Sequence, residues 1–207
     1  MGEIRITPNG LALLGGRLCL DFCNTVERAV LKHDMLLNNK YAGLMAWCQE
    51  AEVITPALKD HYLAWAAASP QAAQTLFERA MELREAIFQV GLASIKQDAI
   101  SPEALAILNS WTQQAMSARV LSPSSSGRLA WQWRDETAPE KPLWEVTLSA
   151  VDVLLNEDLN RLRQCPGCGW LFYDQTKNNT RTWCDMRFCG NRAKNKRFHA
   201  RQKQSEA

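Results

Sequence analysis

Four cysteines near the C-terminal end of the sequence have the spacing of a metal site. Two residues separate Cys165 from Cys168, 15 lie between Cys168 and Cys184, and four lie between Cys184 and Cys189. Each short spacing lets one tight turn point two sulfur atoms at a single ion, and the longer segment returns the second pair to complete a tetrahedron. The pattern predicts a structural Zn²⁺ site with these four thiolates as ligands.

Other chemistries remain open for these thiols. A redox-active pair would need only Cys165 and Cys168, and thiolates also hold iron–sulfur clusters. His199 could replace a cysteine as a ligand, although solvent or phosphate is the expected neighbour of its ring. A catalytic zinc keeps an open coordination position, which four thiolates do not leave, so we expect no catalysis there. The remaining cysteines are expected to be small buried apolar side chains: Cys19, Cys23 and Cys48.

The residues around the cysteines indicate the elements that would position them. Proline and glycine between Cys165 and Cys168 favour a tight knuckle, residues 170–173 read as a strand, and residues 181–183 read as the returning strand. The second cysteine pair would lie at the start of the last helix, where the helix dipole favours thiolates. This order is similar to a treble-clef zinc finger. Trp170 and Trp183 are expected to fill its small core and not to stack on bases.

The residues after Cys189 predict a helix with positive charge on two sides. The two stripes contain Arg192, Lys196, His199 and Lys203 on one side, and Lys194, Arg197 and Arg201 on the other. Such stripes suit phosphate contacts, while Asn191, Asn195, Arg192 or Arg197 could reach base edges. Two of these residues have an alternative role beside the metal. Asn191 could cap the helix or bond to a cysteine sulfur, and Arg192 could offset the negative charge of four thiolates.

Charge is divided unequally along the chain. Residues 161–207 carry 11 Lys/Arg and 3 Asp/Glu, a net charge of +8, whereas residues 1–160 carry 13 and 19, a net charge of −6. A basic C-terminal region on a mildly acidic body suggests contact with a polyanion, although a solvated tail that keeps the protein soluble has the same composition.

The larger, N-terminal part of the sequence reads as mostly helical. Thr55, Ser69 and Ser101 each precede a proline, the signal for a helix start, and a further helix is expected from Gly15 to about residue 30. One apolar stripe at helical spacing contains Leu76, Ala80, Leu83, Ile87 and Val90. Another is expected to run from Trp144 to Leu162 and lead directly to the cysteines. Alternating apolar residues from 129 to 133 predict a half-buried strand. The prediction is a mainly α (α+β) fold with a helical domain over 1–160 and a zinc module over 161–207.

Polar residues within these apolar helices form a second candidate site. Asp21 and Asn24 lie in the first predicted helix, and Arg84 and Glu85 could supply partners from another. They could line a ligand pocket or form a buried network that fixes the packing. No nucleotide-binding, zinc-protease or nucleophile-elbow motif is present, so we expect that the protein is not an enzyme.

Two motifs resemble a known family. Cys165-x2-Cys168-Gly-Trp-x-Phe, Trp183-Cys184 and Cys189-Gly-Asn-Arg192 are similar to the CGNR zinc finger, and Gly15-Gly-Arg-Leu-Cys-Leu-Asp-Phe-Cys-Asn-Thr25 resembles the opening of the ABATE domain that usually precedes it. The resemblance covers nearly the whole chain. It implies a stress-induced transcription regulator of bacteria, with DNA as the partner of the zinc finger and a sensor or dimerisation role for the larger domain.

Location and partners complete the expectations from the sequence. No apolar run is long enough to span a membrane, and the N-terminal segment makes a poor signal peptide, so a cytoplasmic location is expected. DNA is the expected partner, and a small-molecule effector and a homodimer are further hypotheses. The alternatives are a zinc-stabilised module that binds RNA or protein, and an uncharacterised enzyme in the larger domain.

Overall fold

The computed structural model of the chain describes residues 5–7, 12–26, 34, 36 and 40–205. Seven α-helices account for most of this part of the chain: α1 (Leu18–Cys23), α2 (Lys40–Glu50), α3 (Pro56–Ala68), α4 (Pro70–Lys96), α5 (Pro102–Ser117), α6 (Lys141–Asn156) and α7 (Asn191–Ser205). Three short antiparallel pairs join β1 (Arg5–Ile6) to β2 (Ala12–Leu13), β3 (Arg119–Pro123) to β4 (Leu129–Trp133), and β5 (Leu162–Gln164) to β6 (Leu171–Tyr173). The mainly helical fold class is confirmed.

Helix α4 is the central element of the helical core. Its predicted stripe is buried as expected, and α1, α2, α3, α5 and α6 all pack against it. Two of the predicted helix starts are capped, because Thr55 Oγ1 accepts from Leu58 N at 3.2 Å and Ser101 Oγ accepts from Ala104 N at 3.2 Å. Ser69 makes no such side-chain bond, since this residue also ends α3, where its own N–H donates to Trp65 O. Within the described residues, no helix combines the length and hydropathy needed to cross a bilayer.

Two helices differ from their predicted extents. Helix α1 ends at Cys23, because Asn24 leaves the helical path and its side chain bonds elsewhere; residues 27–30 of the predicted helix lie outside the described part. Helix α6 ends at Asn156 and not near Leu162, which lies in β5. The stripe predicted between Trp144 and Leu162 included Leu148, Val151 and Leu155, but Leu155 is 76% exposed. The buried side of α6 lies about one residue earlier and contains Leu143, Val146, Ala150 and Val153.

The strand at 129–133 exists, but its predicted buried face is largely exposed. In β4, Leu129 and Trp131 face solvent, and Leu121, the strand partner of Trp131, is exposed beside them. Only Trp133 reaches the body, where its ring lies 5.5 Å from that of Trp144. Because alternation states which residues share a face but not what covers it, the sequence could not show that this hairpin stands away from the core.

One short strand joins the helical core to the cysteine region. Side chains alternate across β6, so Leu171 and Tyr173 are buried among the helices while Phe172 is buried among the cysteines. Gly91 allows this approach, because a Cβ at this position of α4 would lie 3.0 Å from Leu171 Cδ1. The strands β5 and β6 and the cysteine region between and after them are therefore packed against the body of the protein, and α7 is the part of this region that extends from it.

Candidate metal centre and nucleic-acid interface

The four predicted cysteines converge on one point in the structure. Their sulfur atoms all lie within 4.8 Å of one another, and all four residues are buried. Cys168 Sγ is 3.5 Å from Cys184 Sγ, which is 3.7 Å from Cys189 Sγ. Four sulfurs placed about 2.3 Å from a tetrahedral zinc would be about 3.8 Å apart. The arrangement therefore fits a tetrahedral metal site better than a lone redox pair at Cys165 and Cys168.

The proximity of the sulfurs disfavours four ionised thiolates in the absence of a cation. Hydrogen bonds with Cys165 and Cys168 raise the pKa of the Cys184 thiol, and burial adds to this effect. Hydrogen bonds from Cys168 and Cys184 instead lower the pKa of Cys165. A divalent cation would change this balance, because thiols that ligate a metal are deprotonated outright.

The first cysteine pair lies on a knuckle between β5 and β6. Cys165 N donates to Trp170 O at 2.8 Å, and Gly169, with φ of 80°, donates its N–H to Cys165 O at 2.9 Å. Gly167 faces the second pair, since a Cβ there would lie 3.0 Å from Cys189 Cβ and 3.1 Å from Cys189 Sγ. The knuckle and the strand after it, β6, were predicted correctly, but the return strand was wrong: residues 181–183 form no strand, and β5 is the partner of β6.

Replacing Gly167 with alanine is expected to weaken metal binding about 10- to 100-fold, the range for changes in groups that surround a metal site. The new methyl group would push Cys189 away from the other three sulfurs. Competition with a chelator of known affinity measures the effect. The control is Gly127→Ala in the β3–β4 turn, where an added Cβ meets nothing within 4 Å; its φ of 76° makes alanine strain the backbone locally, but away from the metal, so metal affinity should match wild type. Equal metal affinity in wild type and Gly167→Ala would contradict this explanation of the knuckle.

Arg181 organises the approach to the second cysteine pair. Its guanidinium donates to the carbonyl oxygens of Trp183, Cys184 and Leu14. The same group lies 4.6 Å from the centre of the Phe172 ring. These bonds explain why the predicted return strand is irregular. No sequence signal distinguishes this arginine from its neighbours, because one of its partners lies on a distant segment.

Cys189 lies in a π-helical turn, Met186–Gly190, that leads into α7. Asp185 caps this turn, as its Oδ1 accepts from Arg187 N at 2.6 Å and its carboxylate pairs with the Arg187 guanidinium at 2.9 Å. Burial alone would raise the pKa of Asp185, but the bonds from Arg187 outweigh it and lower that pKa. An aspartate directly before a helical start is an N-cap signal that could have identified this residue from the sequence.

The CGNR residues that follow Cys189 take separate places. Asn191 Nδ2 donates to Arg187 O at 3.1 Å, so the amide supports the turn that carries Cys189 and does not reach a sulfur atom. Arg192 is exposed, and within the described residues no hydrogen bond or ion pair is recorded for it. Asn191 thus supports the backbone of the turn, and the role of Arg192 in offsetting the thiolate charge stays a prediction.

Helix α7 presents its basic side chains to solvent. It begins at Asn191 as predicted, and its residues from Lys194 to Ala200 are all exposed. The predicted contacts Arg192, Lys194, Lys196, Arg197 and His199 therefore lie on an accessible surface, while Arg201 and Lys203 continue the two stripes by helical spacing, although their side chains lie outside the described residues. His199 contacts the ring of Phe198 at 5.7 Å and takes no part in the cysteine cluster.

The two tryptophans of the zinc module and the three other cysteines pack in the protein core. Trp170 and Trp183 are half-buried against the cysteine cluster, as expected of its small core, and Trp170 Nε1 donates to Val26 O at 2.9 Å. The other three cysteines are buried in the helical core: Cys19, Cys23 and Cys48.

The four polar residues of the candidate pocket bond to different partners in the described part of the chain. Asn24 bonds to both backbone groups of Leu171, donating from Nδ2 to Leu171 O at 2.8 Å and accepting from Leu171 N at 3.0 Å. Asp21 Oδ1 accepts from Gly15 N at 2.7 Å. Arg84 pairs with Asp34 and donates to Thr25, whereas Glu85, at a half-buried position in the middle of α4, accepts from Gln89. The buried-network interpretation describes Asn24 and Arg84, and a ligand pocket at these residues stays a prediction.

The N-terminal motif is thus a docking surface for the cysteine region. Gly15 O accepts from Tyr173 N at 2.8 Å, and the Asn24 amide covers the next open position of the β6 edge. Arg17 pairs with Glu157 and lies 4.4 Å above the Tyr173 ring. Since these partners come from opposite ends of the chain, no local pattern could have linked them.

Two family models match the chain. The model described as "Putative stress-induced transcription regulator" (ABATE) matches residues 16–157, and that of the CGNR zinc finger matches residues 161–202. A comparison with curated protein sequences found no significant match. Together the two models span the predicted architecture and include all four converging cysteines.

Proposed function

The chain belongs to the ABATE family, whose model is described as "Putative stress-induced transcription regulator", and it carries a CGNR zinc finger; we propose that it is a DNA-binding regulator. In this proposal the four converging cysteines hold one Zn²⁺ and α7 contacts the DNA. The observation that carries the proposal is a cationic helix, exposed on both charged sides, that starts directly after the buried Cys189 and Gly190. The role is that of a regulator and not of an enzyme.

The proposed ion is structural. Four thiolates complete a tetrahedral shell around zinc and leave no position for water or substrate. Zinc suits this donor set, because soft sulfur ligands in tetrahedral array favour it over Mg²⁺ or Ca²⁺. Its effect would be to fix the turn that carries Cys189, and hence the first turn of α7. An isolated helix of 15 residues is marginal in water, so this anchor matters for α7.

The positive charge of α7 suits the phosphates of a nucleic acid duplex. Six Lys/Arg residues lie between 192 and 203, and the first acidic residue after them is Glu206. Each phosphate contact releases a counterion, and the logarithm of the binding constant changes by about 0.9 per contact for each tenfold change in salt. If all six take part, the slope on a double-logarithmic plot is expected to be about −5.

The charge reversal Lys194→Glu together with Arg197→Glu tests this role. Two lost phosphate contacts are expected to lower affinity for mixed-sequence duplex DNA roughly 60-fold at about 0.1 M salt and to make the salt slope shallower by about two. Fluorescence anisotropy on the zinc-loaded full chain measures both quantities. The control is Arg128→Glu, which changes the charge of an exposed arginine in the β3–β4 turn.

The same assay separates the rival partners. Equal affinity of wild type and the double variant, or binding that is insensitive to salt, would contradict a phosphate-contacting α7. RNA and a non-nucleic polyanion are titrated in parallel. Preference for RNA would favour the RNA-binding alternative, and equal binding of all three would leave only a general cationic surface.

The larger helical region has a proposed regulatory role. A ligand or a partner subunit that changes the packing of α1 against β6 would change how α7 is presented, since these elements are bonded through Asn24. The effector, the homodimer and the cytoplasmic location stay predictions. Light scattering of the purified chain with and without duplex DNA measures the oligomeric state.

A further inference from the structure

Helix α7 has a third face that lies between its two cationic stripes. With about 100° per residue, Asn195, Phe198 and Gln202 fall within about 60° of one another. Arg192 and Lys196 lie on one side of this face, and Lys194 and Arg197 lie on the other. The face therefore carries two amides and one aromatic ring in the middle of a strongly basic helix.

This face points away from the protein. Ala193 is half-buried, and Cys189 and Gly190 just before it are fully buried, so that side of α7 faces the metal centre. Asn195 and Phe198 lie on the other side and are exposed. Phe198 is 59% exposed, too much for a core residue, and the ring contact recorded for it is with the adjacent His199.

Asn191 also lies on this side of α7, at its first residue. Its Nδ2 atom is bonded to Arg187 O within the turn, so its side chain supports the protein's own backbone. Asn195, Phe198 and Gln202 are the exposed residues that continue this face along the helix. An exposed aromatic ring on a helix so rich in charge has no packing role in the described part of the chain, and contact with an apolar group of a partner accounts for it.

We propose that Asn195, Phe198 and Gln202 are the base-contacting residues of α7 in the major groove of duplex DNA, with a preference for A·T pairs. The inference rests on the proposed function. The side-chain amide of Asn or Gln makes two hydrogen bonds to one adenine, at N6 and N7, and an apolar ring contacts the thymine methyl group. A groove about 12 Å wide admits one helix, and the two flanking stripes then face the phosphates of the two strands.

Selection from a random duplex library with the zinc-loaded full chain provides the test. The affinity of wild type, Asn195→Ala, Gln202→Ala and Phe198→Ala is then measured for the selected duplex and for a scrambled one. In each amide variant, the affinity for the selected duplex divided by that for the scrambled duplex is expected to fall about 5- to 150-fold. The affinity for the scrambled duplex and the salt slope are expected to stay unchanged. Phe198→Leu is expected to recover part of the loss caused by Phe198→Ala. Gln113→Ala, on the exposed side of α5, is the matched control.

The outcomes distinguish this inference from the proposed function. No duplex binding by wild type would sink the proposed function itself. Binding with the same preference in all variants, an equal loss on selected and scrambled duplexes, or a selected site without A·T pairs at the affected positions would overturn only the assignment of the face. Tighter binding to single strands would also overturn it, because Phe198 would then stack on unpaired bases.

Discussion

Removal of zinc is expected to lower the melting temperature of the whole chain by about 8–16 °C. Free zinc at about 1,000 times its dissociation constant stabilises a folded protein by about 4.1 kcal/mol. For a chain of this size, each kcal/mol shifts the melting temperature by about 2–4 °C. Calorimetry or circular dichroism of the same preparation, with excess zinc and then with excess chelator, measures the shift.

The effect is expected to reach the helical core because the two regions share β6. Phe172 is buried among the four cysteines, whereas Leu171 and Tyr173 on the same strand are buried among the helices. Loss of the ion leaves four buried sulfurs with no covalent link between them, and the knuckle has little other core. A loosened knuckle therefore releases side chains that α4 needs as neighbours.

A pair of cysteine variants separates the metal effect from simple packing. Cys184→Ser is expected to melt at a low temperature that no longer depends on zinc. Cys48→Ala, which leaves a small void in the helical core, is expected to melt lower than wild type but to keep the full dependence on zinc. Identical melting of wild type in zinc and in chelator would contradict the structural role of the site.

Replacing Asn24 with leucine is expected to destabilise the fold through the edge of β6. The variant keeps the size of the side chain but leaves Leu171 N and Leu171 O without their partners at a buried strand edge. Each unsatisfied buried group costs about 1–3 kcal/mol, so the loss of both partners should lower the free energy of unfolding by about 2–6 kcal/mol. Denaturant unfolding of the zinc-loaded chain measures the loss, and hydrogen exchange at the Leu171 amide shows whether it begins at β6.

The control removes a similar amide from an exposed position. Asn156 ends α6 and donates from Nδ2 to Asp152 Oδ1 at 2.8 Å on the surface, so Asn156→Leu should change stability by no more than about 0.5 kcal/mol. If Asn24→Leu lowered the free energy of unfolding equally little, the bonds of Asn24 to Leu171 would not stabilise β6 as expected. The result would then favour the pocket interpretation of Asn24.

The sequence correctly predicted features that depend on interactions between neighbouring residues, such as helix starts and the spacing of the cysteines. Thr55 and Ser101 before prolines indicated correct helix starts, because a side-chain cap and a fixed φ act within one turn. The cysteine spacing predicted the metal centre for the same reason, since each sulfur pair is positioned by a single turn. The basic helix after Cys189 followed from composition and spacing alone.

Long-range partners were beyond the reach of the sequence. The predicted return strand at 181–183 is absent because Arg181 binds the carbonyl groups there, including one from Leu14. Asn24 was compatible with a pocket in the sequence, but its partner in the structure is Leu171, 147 positions away. Both cases concern polar groups whose partners come from another segment, and helical or strand periodicity carries no information about them.

Titration of the metal-stripped full chain with Co²⁺ decides whether the four cysteines form one tetrahedral metal site. Cobalt reports its ligands through visible bands of a tetrahedral site and near-ultraviolet thiolate charge-transfer bands. We expect saturation at one ion per chain with both sets of bands, displacement by one equivalent of Zn²⁺, and loss of the signal in Cys184→Ser. A chain that takes up no metal, or that gives the same spectrum without Cys184, would show that these sulfurs do not act together as ligands.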